Sequence, residues 1–203
     1  MSKGIKTLLI VVGIIVVLGF MGYSFFAGNY NKMVSYDEQV QSQWGQVENV
    51  YQRRFDLIPN LVATVQGYAK HESKVFADIA EARSRAGGVM NISDEVLQDP
   101  EAFERFQQAQ GELGGALQRL LMITENYPDL KANQNFLSLQ DQLEGTENRI
   151  AVERKRFNDV VETYNSFIRK FPQMFIANMS GFRAKPYFKS VQGASVAPEV
   201  TFQ

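Results

Sequence analysis

Residues 7–27 read TLLIVVGIIVVLGFMGYSFFA, a stretch without a charged side chain. An α-helix rises 1.5 Å per residue, so about 20 such residues cross a hydrocarbon core that is about 30 Å thick. Because that core offers no water to backbone N–H and C=O groups, a single crossing segment must be helical. The stretch therefore predicts one transmembrane helix near the start of the chain.

A cleavable signal peptide is the competing interpretation of this stretch. The apolar part of such a signal spans roughly 7 to 15 residues and ends at a small-x-small motif. Here the apolar run is longer, and the bulky Phe25 stands at the third position before the candidate cleavage point after Ala27. Both features favour an anchor that stays attached.

Basic residues flank the span unevenly. Lys3 and Lys6 precede it, whereas Lys32 is the nearest basic residue after it and two acidic residues follow soon. Because positive flanks favour the cytoplasmic side, residues 1–6 are expected to form a short cytoplasmic N-terminus, with the rest of the chain outside.

After the span, apolar residues recur at steps of three and four, which marks one face of a helix. Helices are expected at Tyr30 to Arg85, at Pro100 to about Asn126, and at about Leu130 to Lys170, with a short turn started by Ser93. Gly87-Gly88 is expected to end the first of them. No segment has the period-two alternation of a strand. The fold is therefore predicted to be all-α, with residues 28–188 as a soluble long-helix bundle and 189–203 as a flexible tail.

Pro59 interrupts the first expected helix and leaves two alternatives. Proline removes a backbone donor and disfavours helix at the residue before it. The chain either turns at Pro59 into a helical hairpin or continues as one kinked helix. The apolar stripe keeps its phase across Pro59, which favours the kink, whereas a hairpin gives a compact bundle more readily. Both alternatives remain open on these grounds.

Composition excludes several classes of protein. With 45% hydrophobic and 21% charged residues the chain is not broadly disordered, and a formal net charge of -1 gives no electrostatic footprint for nucleic acid. The chain has no cysteine, which removes disulfides, thiolate ligands and cysteine nucleophiles. A zinc-protease helix needs a second histidine four residues after His71, where Val75 stands. No catalytic residue, cofactor or metal site is predicted.

The most unusual stretch is QRRFDLIPNLV at residues 52–62, where charged and amide side chains flank a proline within an apolar helix. Buried polar groups need hydrogen-bond partners. One interpretation is a structural network that pairs with Glu147 or Glu153 across the bundle, and the other is an interface for a partner protein. The residues considered for the polar network or interface are Arg53, Arg54, Asp56, Asn60, Glu147 and Arg149.

Two further segments carry structural expectations. Gly111, Gly114 and Gly115 lie inside the second expected helix, where each costs about 1 kcal/mol relative to alanine, so they are expected to permit close packing of a neighbouring helix. The aromatic and basic end, Phe171 to Lys189, is expected to pack across the end of the bundle. Contact with the membrane interface is the alternative for that end.

The chain resembles the LemA family of bacterial membrane proteins from the anchor to about Phe188. The motifs that carry the resemblance are Tyr30-Asn31, Trp44, residues 52–62, GYAKHE at 67–72, ENYPDLKA at 125–132, ENRIA at 147–151 and Tyr187-Phe188. The resemblance implies a four-helix bundle behind a single N-terminal span, and hence a turn near Pro59 or a fourth short helix. It implies no activity and supplies no catalytic or ligand-binding residues, and relatives are associated with membrane and organelle organisation.

These observations predict a scaffold or interaction protein, without catalysis, in the bacterial cytoplasmic (inner) membrane. Gly13, Gly19 and Gly22 in the span motivate it, because small residues let helices approach closely. The expected partners are the lipid bilayer, further copies of the chain and other membrane proteins, but not nucleic acid. A membrane-tethered sensor or small-ligand-binding bundle is the alternative, and it predicts a polar pocket near Arg53, Arg54 and Glu147.

Overall fold

The computed structural model describes residues 3–90 and 96–189, and every regular element in these ranges is helical. The all-α prediction is thus confirmed. The helices are α1 (Lys3–Tyr68), α2 (Ser73–Met90), α3 (Pro100–Thr124), α4 (Pro128–Lys131), α5 (Gln134–Arg169) and α6 (Gln173–Ser180). The turn expected at Ser93 lies outside the described residues, as do residues 190–203 of the tail expected at 189–203.

The chain divides into two compact units. The first unit comprises Met1–Ser42 and Glu162–Ala184, and the second unit comprises Gln43–Val161 and Lys185–Gln203. Helices α1 and α5 contribute residues to both units.

The N-terminal part of α1 has the exposure expected of a segment in contact with lipid. Among the described helices, α1 alone is long and apolar enough to cross a membrane. Its most apolar stretch of 18 residues has a mean hydropathy of 2.5, and the described part of the chain buries none of that stretch. The large apolar side chains from Ile5 to Phe25 are between 47% and 70% exposed. The single N-terminal apolar helix expected from the sequence is therefore present.

The chain turns at residues 69–72 and not at Pro59. Helix α1 continues through Pro59 and ends at Tyr68, so of the two alternatives at Pro59 the chain continues as one helix. The turn near Pro59, one of the two arrangements that the LemA resemblance implied, is wrong. The turn lies inside the GYAKHE motif, where the Glu72 N–H donates to the Ala69 carbonyl at 3.1 Å. The expected helix from Tyr30 to Arg85 is thereby cut into α1 and α2, and α2 becomes a further long helix of the second unit.

The sequence predicted that Gly87 and Gly88 end a helix. This is wrong, because both residues lie inside α2. A Cβ atom at Gly87 would lie 3.2 Å from Cζ of Phe55 on α1, whereas one at Gly88 would meet nothing within 4 Å. The guanidinium of Arg83 covers the same Phe55 ring at 3.9 Å from its centroid. Gly87 therefore accommodates the Phe55 ring where α2 packs on α1.

A pair of alanine substitutions tests this contact. Gly88→Ala should raise the free energy of unfolding by about 0.5–1 kcal/mol, because alanine loses less backbone freedom than glycine in a helix. Gly87→Ala should raise it less or lower it, because the Phe55 ring must move. Urea unfolding of both variants, followed by circular dichroism, measures the difference. Equal stabilisation by the two substitutions would show that Phe55 does not pack on Gly87.

The core of the second unit has an aliphatic part and an aromatic part. The aromatic part surrounds Trp44, whose ring centroid lies 5.2 to 6.1 Å from those of four phenylalanines: Phe103, Phe106, Phe157 and Phe188. The aliphatic part is formed mainly by Ile58, Leu61, Val65, Ile79, Leu113, Leu117, Leu120, Leu130 and Leu143. On α1 the residue between the two parts is Arg54, which is also buried.

The expectation that a neighbouring helix packs closely at three glycines of α3 is not met among the described residues. A Cβ atom would meet nothing within 4 Å at Gly111, and at Gly115 only a side chain of α3 itself, that of Arg119 at 3.9 Å. At Gly114 the nearest atom is Nη1 of Arg54 at 3.8 Å, which is ordinary van der Waals contact. Space for a methyl group therefore exists at all three.

The aromatic and basic end behaves differently in its two halves. In the second unit, Phe188 is buried, and its backbone N–H and carbonyl pair with the side-chain amide of Asn158 at 2.9 and 3.0 Å. The packing expectation is met there. In the first unit, Phe171 is 78% exposed and Phe175 is 61% exposed, so for these two rings the expectation of packing is wrong.

Candidate functional site

Arg54 holds three helices together from inside the second unit. It lies on the buried face of α1 and is 3% exposed. Its Nη1 donates to both carboxylate oxygens of Glu147 on α5, at 3.1 and 3.4 Å. Its Nη2 donates to the backbone carbonyl of Gln110 on α3 at 3.2 Å, and also to the side-chain Oε1 of Gln110. One guanidinium thus joins α1, α3 and α5.

Only the positively charged partner of this ion pair is buried. The Arg54 side chain is 4% exposed, whereas that of Glu147 is 44% exposed and borders the surface. The buried cation is therefore the partner that depends on the pair, because a buried charge that loses its counter-charge is strongly destabilising. Nε of Arg54 and Nε2 of Gln110 are also buried, without hydrogen-bond partners among the described residues.

Tyr51 completes the buried cluster one helical turn before Arg54. The Arg54 guanidinium carbon stands 5.0 Å from the centroid of the Tyr51 ring, a cation–π geometry. Burial raises the pKa of the Tyr51 phenol above its ordinary value, against the opposing effect of the Arg154 and Arg54 guanidinium groups. The phenol thus stays neutral at physiological pH.

The other sequence candidates lie outside this buried cluster. Asp56 accepts a hydrogen bond from Nε2 of Gln52 at 2.8 Å, along the same helix. The backbone carbonyl of Asn60 accepts from the Thr64 hydroxyl at 2.8 Å. Both interactions are local to exposed turns of α1. Of the six candidates, the structure joins only Arg54 and Glu147 directly.

Arg53 and Arg149 share a groove of 550 Å³ between α1 and α5. We call it the arginine groove, and its lining residues are Gln46, Asn49, Val50, Arg53, Asn148, Arg149, Val152, Glu153 and Arg156. Glu153 accepts from Gln43 at 2.7 Å and from Arg156 at 2.8 Å. The side chains of Arg53 and Arg149 are exposed and form no hydrogen bond or ion pair within residues 3–90 and 96–189. The groove therefore presents two guanidinium groups to solvent.

A second groove, of 370 Å³, lies between α3 and α5. Its wall is largely apolar, with Leu117, Leu121 and Leu143, and Glu144 and Glu147 border it. The sequence predicted one polar pocket near Arg53, Arg54 and Glu147. The structure instead separates these residues, because Glu147 borders the second groove and Arg53 lines the arginine groove.

Gln110 was missed by sequence reasoning, although the sequence carries a signal for it. It falls between Phe106 and Leu113 at the helical spacing of the apolar stripe on α3, and it is 4% exposed. A lone amide within an apolar stripe is a buried polar group that needs partners. His71 is exposed, and the described residues contain no group of three or more His, Cys, Asp or Glu side chains placed to hold a metal ion.

Comparison with known proteins places this arrangement in a family. The LemA family model matches residues 43–202. Magnetosome protein MamQ of Magnetospirillum gryphiswaldense is 28% identical, over 93% of this chain and 74% of that protein. Magnetosome protein MamQ 2 of Paramagnetospirillum magneticum is 27% identical, over 100% of this chain and 79% of that protein. Protein LemA of Metamycoplasma hominis is 21% identical, over 83% of this chain and 72% of that protein. Since the family model covers most of its length, the chain belongs to the LemA family.

Proposed function

We propose that this chain is a membrane-anchored helical scaffold that binds further copies of itself or other membrane proteins, without catalysis. Residues 7–27 stay attached and cross the cytoplasmic membrane of a bacterium, with the N-terminus in the cytoplasm and the bundle outside. The observation that carries the proposal is the composition of α1. This one helix supplies both an apolar stretch that the chain leaves exposed and the Arg53 side of the arginine groove.

The arginine groove suits an acidic protein surface. Arginine is enriched at protein interfaces because its planar guanidinium pairs with carboxylates through two hydrogen bonds. Val50 and Val152 line the same groove, and Val152 is 47% exposed, so a partner would also cover apolar surface there. Arg53 and Arg149 have no partner in the described part of the chain, and exposed valine lies beside them. The groove therefore favours a protein partner with carboxylates at matching positions.

Charge reversal in the groove tests the scaffold function. Arg53→Glu with Arg149→Glu should weaken association about tenfold or more, because opposed carboxylates replace charge-assisted hydrogen bonds. The matched control is Lys70→Glu with Lys74→Glu, which changes the net charge equally at exposed sites around the α1–α2 turn. Chemical cross-linking in cells and native mass spectrometry of the extracted protein measure the association.

The control should associate as the unchanged chain does. If the unchanged chain is strictly monomeric and co-purifies with no partner, the scaffold function is wrong. If both double variants lose association equally, the interaction depends on net charge and not on the arginine groove.

A small-ligand-binding bundle is the second candidate, and the 370 Å³ groove between α3 and α5 favours it. Its apolar wall with two carboxylates, those of Glu144 and Glu147, suits a small amphiphilic amine. A thermal-shift screen of such amines, repeated on Leu121→Arg, distinguishes the candidates. A ligand whose stabilising effect disappears in that variant would support binding, and a screen without such a ligand leaves the scaffold function in place.

A further inference from the structure

Four large apolar side chains lie exposed on and next to α6, in the first unit. Phe171 is 78% exposed, Met174 40%, Phe175 61% and Met179 72%, and we call these four residues the apolar patch. The rings of Phe171 and Phe175 meet edge to face with their centroids 5.9 Å apart. The opposite side of α6 is buried. Large apolar side chains grouped in this way mark a surface that another molecule or a membrane covers.

Contacts with α1 fix the position of the patch relative to the apolar stretch. Nε2 of Gln173 donates to Oδ1 of Asn29 at 3.2 Å. The Phe182 ring packs edge to face on Tyr30, with centroids 5.7 Å apart. Asn29 follows Ala27, the last residue of the predicted span, by a rise of about 3 Å along the helix. With residues 7–27 in the hydrocarbon core, the patch lies where the core meets the headgroups.

Basic side chains border the patch. Arg169 and Lys170 directly precede Phe171, and both are exposed. Neither side chain forms an ion pair or a hydrogen bond within residues 3–90 and 96–189. Aromatic rings favour the membrane–water interface, and lysine and arginine favour the phosphates beside it. The order of cations followed by aromatic and methionine side chains is therefore that of an interfacial segment.

We propose that the apolar patch is immersed in the interface of the phospholipid leaflet from which α1 emerges, with Arg169 and Lys170 at the lipid phosphates. The inference rests on the proposed anchor, because α1 sets the depth of α6. Lipid is the occupant because the patch adjoins the span through the Gln173–Asn29 hydrogen bond, at the level of the headgroups. The immersed rings would hold α6 to the membrane surface as a second attachment beside the span.

Depth-dependent quenching tests the proposal in the complete chain. The sequence has no cysteine, so single cysteines can be introduced and labelled with an environment-sensitive fluorophore. Phe175→Cys and Met179→Cys probe the patch, Val16→Cys probes the span, and Glu162→Cys is an exposed control in the first unit. The labelled chains are reconstituted in vesicles of phosphatidylcholine and phosphatidylglycerol, without a quencher or with lipids that carry a nitroxide either near the headgroup or deep in the acyl chains.

Both patch probes should lose about half of their emission to the shallow nitroxide, because interfacial side chains lie about 5–10 Å deep in the headgroup region. The Glu162 probe should lose little. Quenching of the Val16 probe by the deep nitroxide, without quenching at positions 175 and 179 by either nitroxide, would overturn the immersion of the patch while leaving the anchor intact. Blue-shifted emission that neither nitroxide quenches at the patch would also overturn the immersion, because it would show that a protein and not lipid covers the patch. No quenching of the Val16 probe by the deep nitroxide would overturn the anchor itself.

Discussion

Replacing Glu147 by alanine should lower the free energy of unfolding of the second unit by about 3 kcal/mol, because Arg54 is then left as a buried charge without a counter-charge. The geometry predicts an asymmetry between the partners. Glu147 borders the surface and can be hydrated when Arg54 is replaced, so Arg54→Met should destabilise less than Glu147→Ala. Once Arg54→Met is present, the further change Glu147→Ala should have almost no effect.

Urea unfolding of the full chain in micelles measures this cycle. Trp44 is the single tryptophan and lies in the core of the second unit, so its fluorescence reports the transition without an added probe. An additive cycle, in which Glu147→Ala destabilises equally with and without Arg54, would show that the two side chains do not form the pair that joins α1 to α5.

Phe157→Ala should destabilise the second unit by about 3–5 kcal/mol, the usual range for removing a buried aromatic ring and leaving a cavity. Phe157 is 0% exposed, and its ring centroid lies 5.5 Å from that of Trp44 and 5.4 Å from that of Phe188. Loss of the ring also admits water to Trp44, so the native emission maximum should move to longer wavelength.

The matched control makes the same substitution at an exposed ring. Phe171→Ala removes a ring that is 78% exposed, and it should change the free energy of unfolding in micelles by no more than about 0.5 kcal/mol. If Phe157→Ala also stayed within about 1 kcal/mol, with an unchanged Trp44 spectrum, the aromatic cluster around Trp44 would not be the core described above.

The span and the helical class could be predicted because burial and lipid impose regular patterns on the sequence. The position of the turn could not, since Pro59 is compatible with both alternatives. Pro59 lies on the exposed side of α1 and removes one backbone donor. Its neighbours Ile58 and Leu61 are buried, and burial of each such side chain stabilises by about 1.5–3 kcal/mol. The packing of α1 therefore outweighs the local effect of proline.

Which polar residues are buried and which are exposed could also not be predicted from the sequence. After Tyr51, the helical spacing permits either Arg54 or Phe55 on the buried face, and hydrophobicity favours Phe55. The structure buries Arg54 and leaves Phe55 half-buried against Gly87. What decides this is the supply of acceptors from α3 and α5, namely Gln110 and Glu147, and a single helix pattern holds no information about them. Arg53, the residue before Arg54, consequently faces solvent.

The proposed function depends on residues 7–27 staying attached to the chain as its membrane span. The most direct test is to wash membranes of the natural host with alkaline carbonate and to measure the intact mass of the chain in the pellet and the supernatant. The expected result is the complete chain, with a mass of 23.0 kDa, in the membrane pellet. Recovery of a soluble chain that lacks residues 1–27 would contradict both the anchor and the scaffold function built on it.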